Sequence, residues 1–200
     1  MYEILVKWGP LIIPIALAGI VALAILMERV WTLRRERIIP RRLIDRVKEL
    51  AKEDKISEAA VLCEQDESFI SVILLAGVNH AGKTRKRIKE AMEEAGKTVA
   101  AEMEKYVNTI GTIAAISPLM GLLGTVTGMI EVFQTVTTEG VGDPRILANG
   151  IWEALVTTAA GLTVAIPAYI MYRYLIGRVD SLLTEMEEAS LDVADALAEK

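Results

Sequence analysis

The chain has 200 residues, 52% hydrophobic and 24% charged, with a net charge of −5 and a mean hydropathy of +0.38. That charge fraction is ordinary for a water-soluble domain, but the positive hydropathy is not. Segregation reconciles them: 32 of the 49 charged residues lie in Glu28–Tyr106, Trp8–Met27 and Val107–Ile130 carry none, and Ile146–Tyr172 carries only Glu153. A single soluble globule, a disordered chain and an outer-membrane barrel are thereby excluded.

In chain order, the first element is a short N-terminal stretch, 1–10, followed by an apolar run at 11–27 made of Leu, Ile, Val and Ala with little else. About 20 apolar residues cross the hydrocarbon core, and backbone groups there must be paired within the segment, so the run predicts a transmembrane helix. Behind it come Arg29, Arg34, Arg35, Arg37, Arg41, Arg42 and Arg46, against only Glu3 and Lys7 before it. Basic residues stay on the cytoplasmic side, which predicts an outside N-terminus. A cleaved signal peptide would carry its basic residues ahead of the apolar run, so that reading is disfavoured.

Residues 28–106 read as a cytoplasmic helical domain. Leu43, Ile44, Val47 and Leu50 form an amphipathic stripe after Pro40. Ser57 is a candidate N-cap for a short helix with Ala60, Val61 and Cys63. Cys63, the only cysteine, excludes a disulfide framework and a cysteine zinc site, and reads as a small apolar residue. His80, the only histidine, reads as a solvated or capping residue. Ile88, Met92, Ala95, Val99, Met103 and Tyr106 make a helical seam with no Gly–Pro break before the next apolar run. The expectation is one helix from Thr84 to Val136, roughly 80 Å long at about 1.5 Å per residue.

The second transmembrane helix is predicted at 107–136, then an outside loop at 137–147, a third transmembrane helix at 148–175 and a cytoplasmic C-terminal helix at 176–200. Arg173 and Arg178 follow the third span, again inside, so the topology is N-out, C-in. Trp8 and Trp31 bracket span one, while Trp152 and Tyr169, Tyr172 and Tyr174 stand near the two ends of span three, as an interfacial belt requires. Ile176, Val179, Leu183, Met186, Ser190, Val193 and Leu197 repeat as a heptad seam. The fold class is an all-α membrane protein with long helices extending into a cytoplasmic helical bundle. Five Asn and Gln residues in total, beside abundant Glu, Lys and Arg, are a thermophile tendency.

Spans two and three differ from span one. Gly124 and Gly128 form a GxxxG pair, and Ser117, Gly121 and Thr125 form a second small ridge. Span three carries Ala159, Ala160, Gly161, Ala165 and Ala168, with Pro167; Pro118 lies in span two. Small residues let helices approach closely where apolar burial provides no drive to associate. So many small and polar groups suit the inside of a homo-oligomer, with Ser117, Gly121, Gly124, Gly128 and Gly161 as helix-packing positions. Glu153 is the sharpest feature. A carboxylate within a span costs about 2.5–3.5 kcal/mol on insertion scales and should face water or a partner. Thr157, four residues on, shares its face in an ideal helix, and Thr158 points away by about 140°.

The segments PLMGLLGTVTGMIEVF (Pro118–Phe133) and GIWEALVTTAAGLTVAIPAYIMYR (Gly150–Arg173) resemble the MotA/TolQ/ExbB proton-channel family, closest to its three-span ExbB and TolQ branch. The resemblance implies an inner-membrane homopentamer whose pore holds the single spans of an ExbD-like or TolR-like dimer. The partner supplies the proton-carrying aspartate, and the motion is passed to a TonB-like or TolA-like protein to drive outer-membrane import. It carries the pore threonine to Thr125, the pore glutamate to Glu153 and the following threonine to Thr158; the helical wheel favours Thr157, so both stand as proton-pathway candidates. Glu131 departs from the pattern and adds a second acid near the outer end of span two. No histidine, lysine or aspartate lies within any span, which independently points to a partner with the titrating group. No cofactor, metal, nucleic acid or enzymatic activity is expected. A TolQ subunit of the envelope-integrity system and another stator-like motor are the alternatives within the family. An intramembrane protease has Ser117 but no histidine in a span to serve as its base, and a purely structural scaffold remains the bland alternative.

Overall fold

The computed structural model describes residues 11–140 and 144–198. The short N-terminal stretch at 1–10, with Trp8 and its interfacial role, lies outside the described residues, as does Asp143 of the predicted outside loop. Among the described residues every regular element is an α-helix: α1 (Ile12–Thr32), α2 (Arg35–Ile38), α3 (Arg41–Lys52), α4 (Ile56–Gln65), α5 (Phe69–Val78), α6 (Arg85–Glu104), α7 (Val107–Glu139) and α8 (Pro144–Leu197). Helices α1, α7 and α8 are long and apolar enough to cross a membrane. The chain divides into two compact units, one comprising Met1–Met27 and Val107–Tyr174, the other Glu28–Tyr106 and Leu175–Lys200.

The first unit holds the apolar lengths of α1, α7 and α8. Ile15 and Ala22 of α1 are buried, while Leu17, Ile20 and Leu23 are exposed, so α1 offers one packed face and a broad greasy one. Its Gly19 admits Val164 of α8: a Cβ there would stand 3.2 Å from a Val164 methyl. Pro118 and Pro167 lie inside continuous helices. Each proline removes one N–H from the ladder, a loss that membrane helices tolerate when neighbouring groups re-satisfy the freed carbonyl.

The second unit is a helical bundle around an apolar α5. Ile70, Ile73, Leu74 and Val78 of α5 are all buried, as expected of a helix apolar on every side. It begins at Ser68, whose N–H donates to Asp66 Oδ1 at 2.8 Å, while the Ser71 hydroxyl lies 2.8 Å from the carbonyls of both Asp66 and Ser68. His80 is exposed, with Nδ1 2.9 Å from the Ala76 carbonyl, and so caps the α5 C-terminus. Leu43, Ile44, Val47 and Leu50 are buried on α3, and Cys63 is buried on α4.

Three details differ from the sequence expectations. Ser57 is not an N-cap. Asp54 closes α3 in the left-handed region (φ 61°), with Lys55 N–H donating to Leu50 O at 2.9 Å and Asp54 N–H to Ala51 O at 3.3 Å. This is a Schellman closure. It leaves Lys55 as the residue preceding α4, and Ser57 falls inside the first turn. Second, Lys105 and Tyr106 form a turn between α6 and α7 where one helix was expected, although Lys105 keeps α-helical dihedrals. The Arg29 guanidinium lies over the Tyr106 ring at 4.7 Å, and Tyr106 is exposed, outside the buried stripe of α6.

Third, the buried stripe near the chain's end is Leu175, Val179, Leu182, Met186, Ser190, Val193 and Leu197, with Ile176 and Leu183 only half-buried. Its steps of 4, 3, 4, 4, 3, 4 make an 11-residue period. The expected 7-residue period would impose a left-handed supercoil; the 11-residue one does not. Ion pairs flank the stripe. Arg35 grips Glu185 with Nε 2.8 Å from Oε2, Lys48 Nζ lies 2.7 Å from Asp192 Oδ2, and Arg85 pairs with Asp195.

Candidate functional site

The α7 and α8 lengths of the first unit are joined through Gly140 (φ 81°), a backbone geometry that favours glycine. They pack antiparallel, because partners on α8 descend as those on α7 rise. Gly111 lies against Tyr172, Gly121 against Thr158, Gly124 against Thr157, Gly128 against Ala154 and Val132 against Gly150. The closest approach is between backbones. A Cβ on Gly161 would fall 2.5 Å from the Ser117 carbonyl oxygen and 3.1 Å from Gly121 Cα; one on Gly121 would fall 2.9 Å from Thr158 Cα. Real Cβ atoms essentially never approach another atom closer than 3.0 Å, so the 2.5 and 2.9 Å approaches to main-chain atoms require glycine at both positions.

Hydroxyls are interleaved with the small residues. Thr158 Oγ1 donates to the Gly121 carbonyl at 2.7 Å, a bond between the two helices. Thr157 is buried against Gly124, and its Oγ1 donates to Glu153 O at 3.0 Å. Ser117 is buried and donates to Ile113 O at 2.7 Å, and Thr125 donates to Leu122 O at 2.7 Å. Each donor is occupied by a main-chain carbonyl, which leaves the lone pairs of the less buried hydroxyls, Thr125 and Thr158, as acceptors for water.

The Glu153 side chain is half-buried and forms no hydrogen bond or ion pair with another described residue. The contacts Gly128–Ala154 and Val132–Gly150 bracket it, and they bracket Glu131 as well. The two carboxylates therefore fall between the same two contacts on neighbouring helices, with Glu131 exposed. No group of three or more His, Cys, Asp and Glu residues able to hold a metal exists among the described residues.

Thr157 and Thr158, about 100° apart on an ideal wheel, both face α7, one buried and one bonded across, so the pair straddles the helix contact. Thr125 lies on α7 one residue past Gly124. Gly150 and Gly111 join the packing without having been singled out, and Tyr172, expected only as an interfacial aromatic, packs on Gly111. The signal was available for the first: Gly150, Ala154, Thr157, Gly161, Ala165 and Ala168 are small residues at steps of 4, 3, 4, 4 and 3.

Residues 65–188 match the MotA/TolQ/ExbB proton channel family. The chain is 34% identical to an ExbB-like biopolymer transport protein of Synechocystis over 173 residues, covering 85% of this chain and 68% of that protein. It is 30% identical to an ExbB homologue of Methanothermobacter thermautotrophicus over 174 residues, covering 86% of this chain and 62% of that one. A shorter match, 39% identical over 80 residues, covers 40% of this chain and 35% of the Tol-Pal system protein TolQ of Haemophilus influenzae.

Proposed function

We propose that this chain, which belongs to the MotA/TolQ/ExbB proton channel family, is the inner-membrane ring subunit of an ExbB-ExbD-TonB-type motor that uses the proton motive force to drive outer-membrane import. In this reading the chain is N-out, C-in and assembles as a homopentamer. Two single-span ExbD-like chains occupy the pore and carry the proton-binding aspartate, and a TonB-like protein receives the work.

The observation that supports it best is Glu153, a carboxylate within an apolar helix with no partner among the described residues, set beside two threonines at a glycine-lined helix contact. A carboxylate in that position needs water or a neighbouring chain. A ring of copies supplies a wet lumen in which Glu153 draws protons to the outer entrance, and Thr125 and Thr158 hold ordered water through their lone pairs, while Thr157 packs behind them. Low dielectric strengthens these interactions. The chain does no covalent chemistry and works as a transport component.

The test is proton flux into vesicles containing the purified complex, with and without the single-span partner. Flux should require the partner and disappear in Glu153→Ala while the ring stays assembled. Undiminished flux in that variant sinks the pathway; no flux in the parent complex favours a scaffold. The TolQ reading draws support from the Haemophilus influenzae match. A gene neighbour encoding a TolA-like rather than a TonB-like protein would favour it.

A further inference from the structure

We propose that the arginine collar at the end of α1 is a binding surface for the phosphate headgroups of anionic phospholipids. This inference is independent of the proton pathway. Between residues 28 and 46 the chain carries seven arginines, no lysine and three acids. Arginine's planar fork grips a phosphate through two parallel bonds, which lysine cannot do.

Three of the seven are paired within the protein, Arg29 with Glu28, Arg35 with Glu185 and Arg46 with Glu49. Arg34, Arg37, Arg41 and Arg42 are exposed and form no ion pair among the described residues. They follow directly on a helix whose apolar length reaches across a bilayer, so headgroups lie within reach. The surface also has an interfacial aromatic. Trp31 is 52% exposed, and the Arg37 guanidinium stacks on its ring at 3.6 Å. Such a pair sits well at headgroup depth, with the ring toward acyl chains and the cation toward phosphate.

Arg29 adds a second, independent observation. Its side chain is 6% exposed and packs on the Tyr106 ring. Nη1 is buried with no acceptor, and Glu28 lies 2.9 Å from Nε without hydrogen-bond alignment. A desolvated cation with unmet donors is costly. Glu28 offsets part of that cost, and an anion held by the neighbouring arginines adds to the offset through space without disturbing the buried packing.

The test compares the full-length protein with Arg34→Gln/Arg37→Gln/Arg41→Gln/Arg42→Gln in phosphatidylcholine bilayers with and without phosphatidylglycerol. Native mass spectrometry after detergent extraction counts retained phosphatidylglycerol, and thermal unfolding reads stability. The parent should retain phosphatidylglycerol and melt higher in its presence. Affinity should fall about fivefold for each arginine removed. The variant should melt like the parent in pure phosphatidylcholine; should it fail to fold, Arg34→Gln and Arg41→Gln alone carry the test. The matching Arg→Lys variant should retain an intermediate amount. Equal phosphatidylglycerol retention by parent and glutamine variant overturns the proposal. So does equal stabilisation of the parent by inorganic phosphate in phosphatidylcholine, which would mark a site for soluble anions.

Discussion

Thr158 on α8 donates its hydroxyl proton to the backbone carbonyl of Gly121 on α7, 2.7 Å away, where the two helices come closest. The glycine makes the bond reachable, and the threonine ties down the backbone that the glycine exposes. Removing either half has a different cost. Thr158→Val keeps the shape and loses one interhelical hydrogen bond, about 0.6 kcal/mol in a membrane protein. Gly161→Leu drives a side chain into the Ser117 carbonyl and Gly121 Cα, which are main chain and yield poorly; about 3 kcal/mol is expected. Unfolding in mixed micelles should rank the two in that order, and reversed ranks would show that the hydroxyl, not the close approach, holds the pair.

The same threonine separates packing from conduction. Thr158→Ser retains a hydroxyl and sheds a methyl, whereas Thr158→Val does the reverse. If the oxygen holds pathway water, the serine variant should keep most of the proton flux and the valine variant should lose it, with both rings assembled. Equal flux in the two variants would assign Thr158 to packing alone.

Much of the fold was legible because lipid imposes simple demands. Three uncharged or nearly uncharged runs leave few alternatives to three helices. The small-residue ridges were legible for the same reason. The period of the C-terminal stripe was not, because Leu175–Ile176 and Leu182–Leu183 offer adjacent apolar residues. A 7- or an 11-residue seam can be drawn through either, and only packing selects between them. Ser57 misled because local cap chemistry was read without the left-handed closure at Asp54. At the candidate site, Glu153 stood out by its cost in a span. The alternation of Thr157 and Thr158 did not resolve on a wheel, because both flank one contact ridge.

Cys63 yields a prediction about reactivity. Burial, with a smaller contribution from Asp66, pushes its thiol from 9.0 up to about 11. The folded protein therefore holds the protonated, unreactive form at neutral pH. Maleimide labelling should be slow in native protein and rapid after unfolding. A raised acid pKa also favours the fold fully below pH 9.0, with the contribution declining as pH climbs towards about 11. Cys63→Ala should flatten this alkaline loss in a stability-against-pH titration, and an unchanged slope would place the sensitivity elsewhere.

The chain's end should loosen in acid. Arg85 hydrogen-bonds Asp195 and holds its carboxyl below the ordinary 3.8. The pair is exposed, so its strength is modest and falls with salt. A depressed carboxylate pKa stabilises the fold above its unfolded value, and the contribution is lost as pH drops through the folded value. Protonation of Asp195 releases Arg85 at the start of α6, beside the Gly82 N–H bond to Leu197 O at 3.3 Å. Amide exchange at Ala194 to Leu197, corrected for intrinsic rates, should accelerate below pH 3.8 in the parent. Asp195→Asn should show the faster exchange already at neutral pH and little further change in acid. High salt should bring the parent towards the variant. Matching exchange in parent and variant at neutral pH and low salt would show that apolar burial of Val193 and Leu197 holds the terminus without the ion pair.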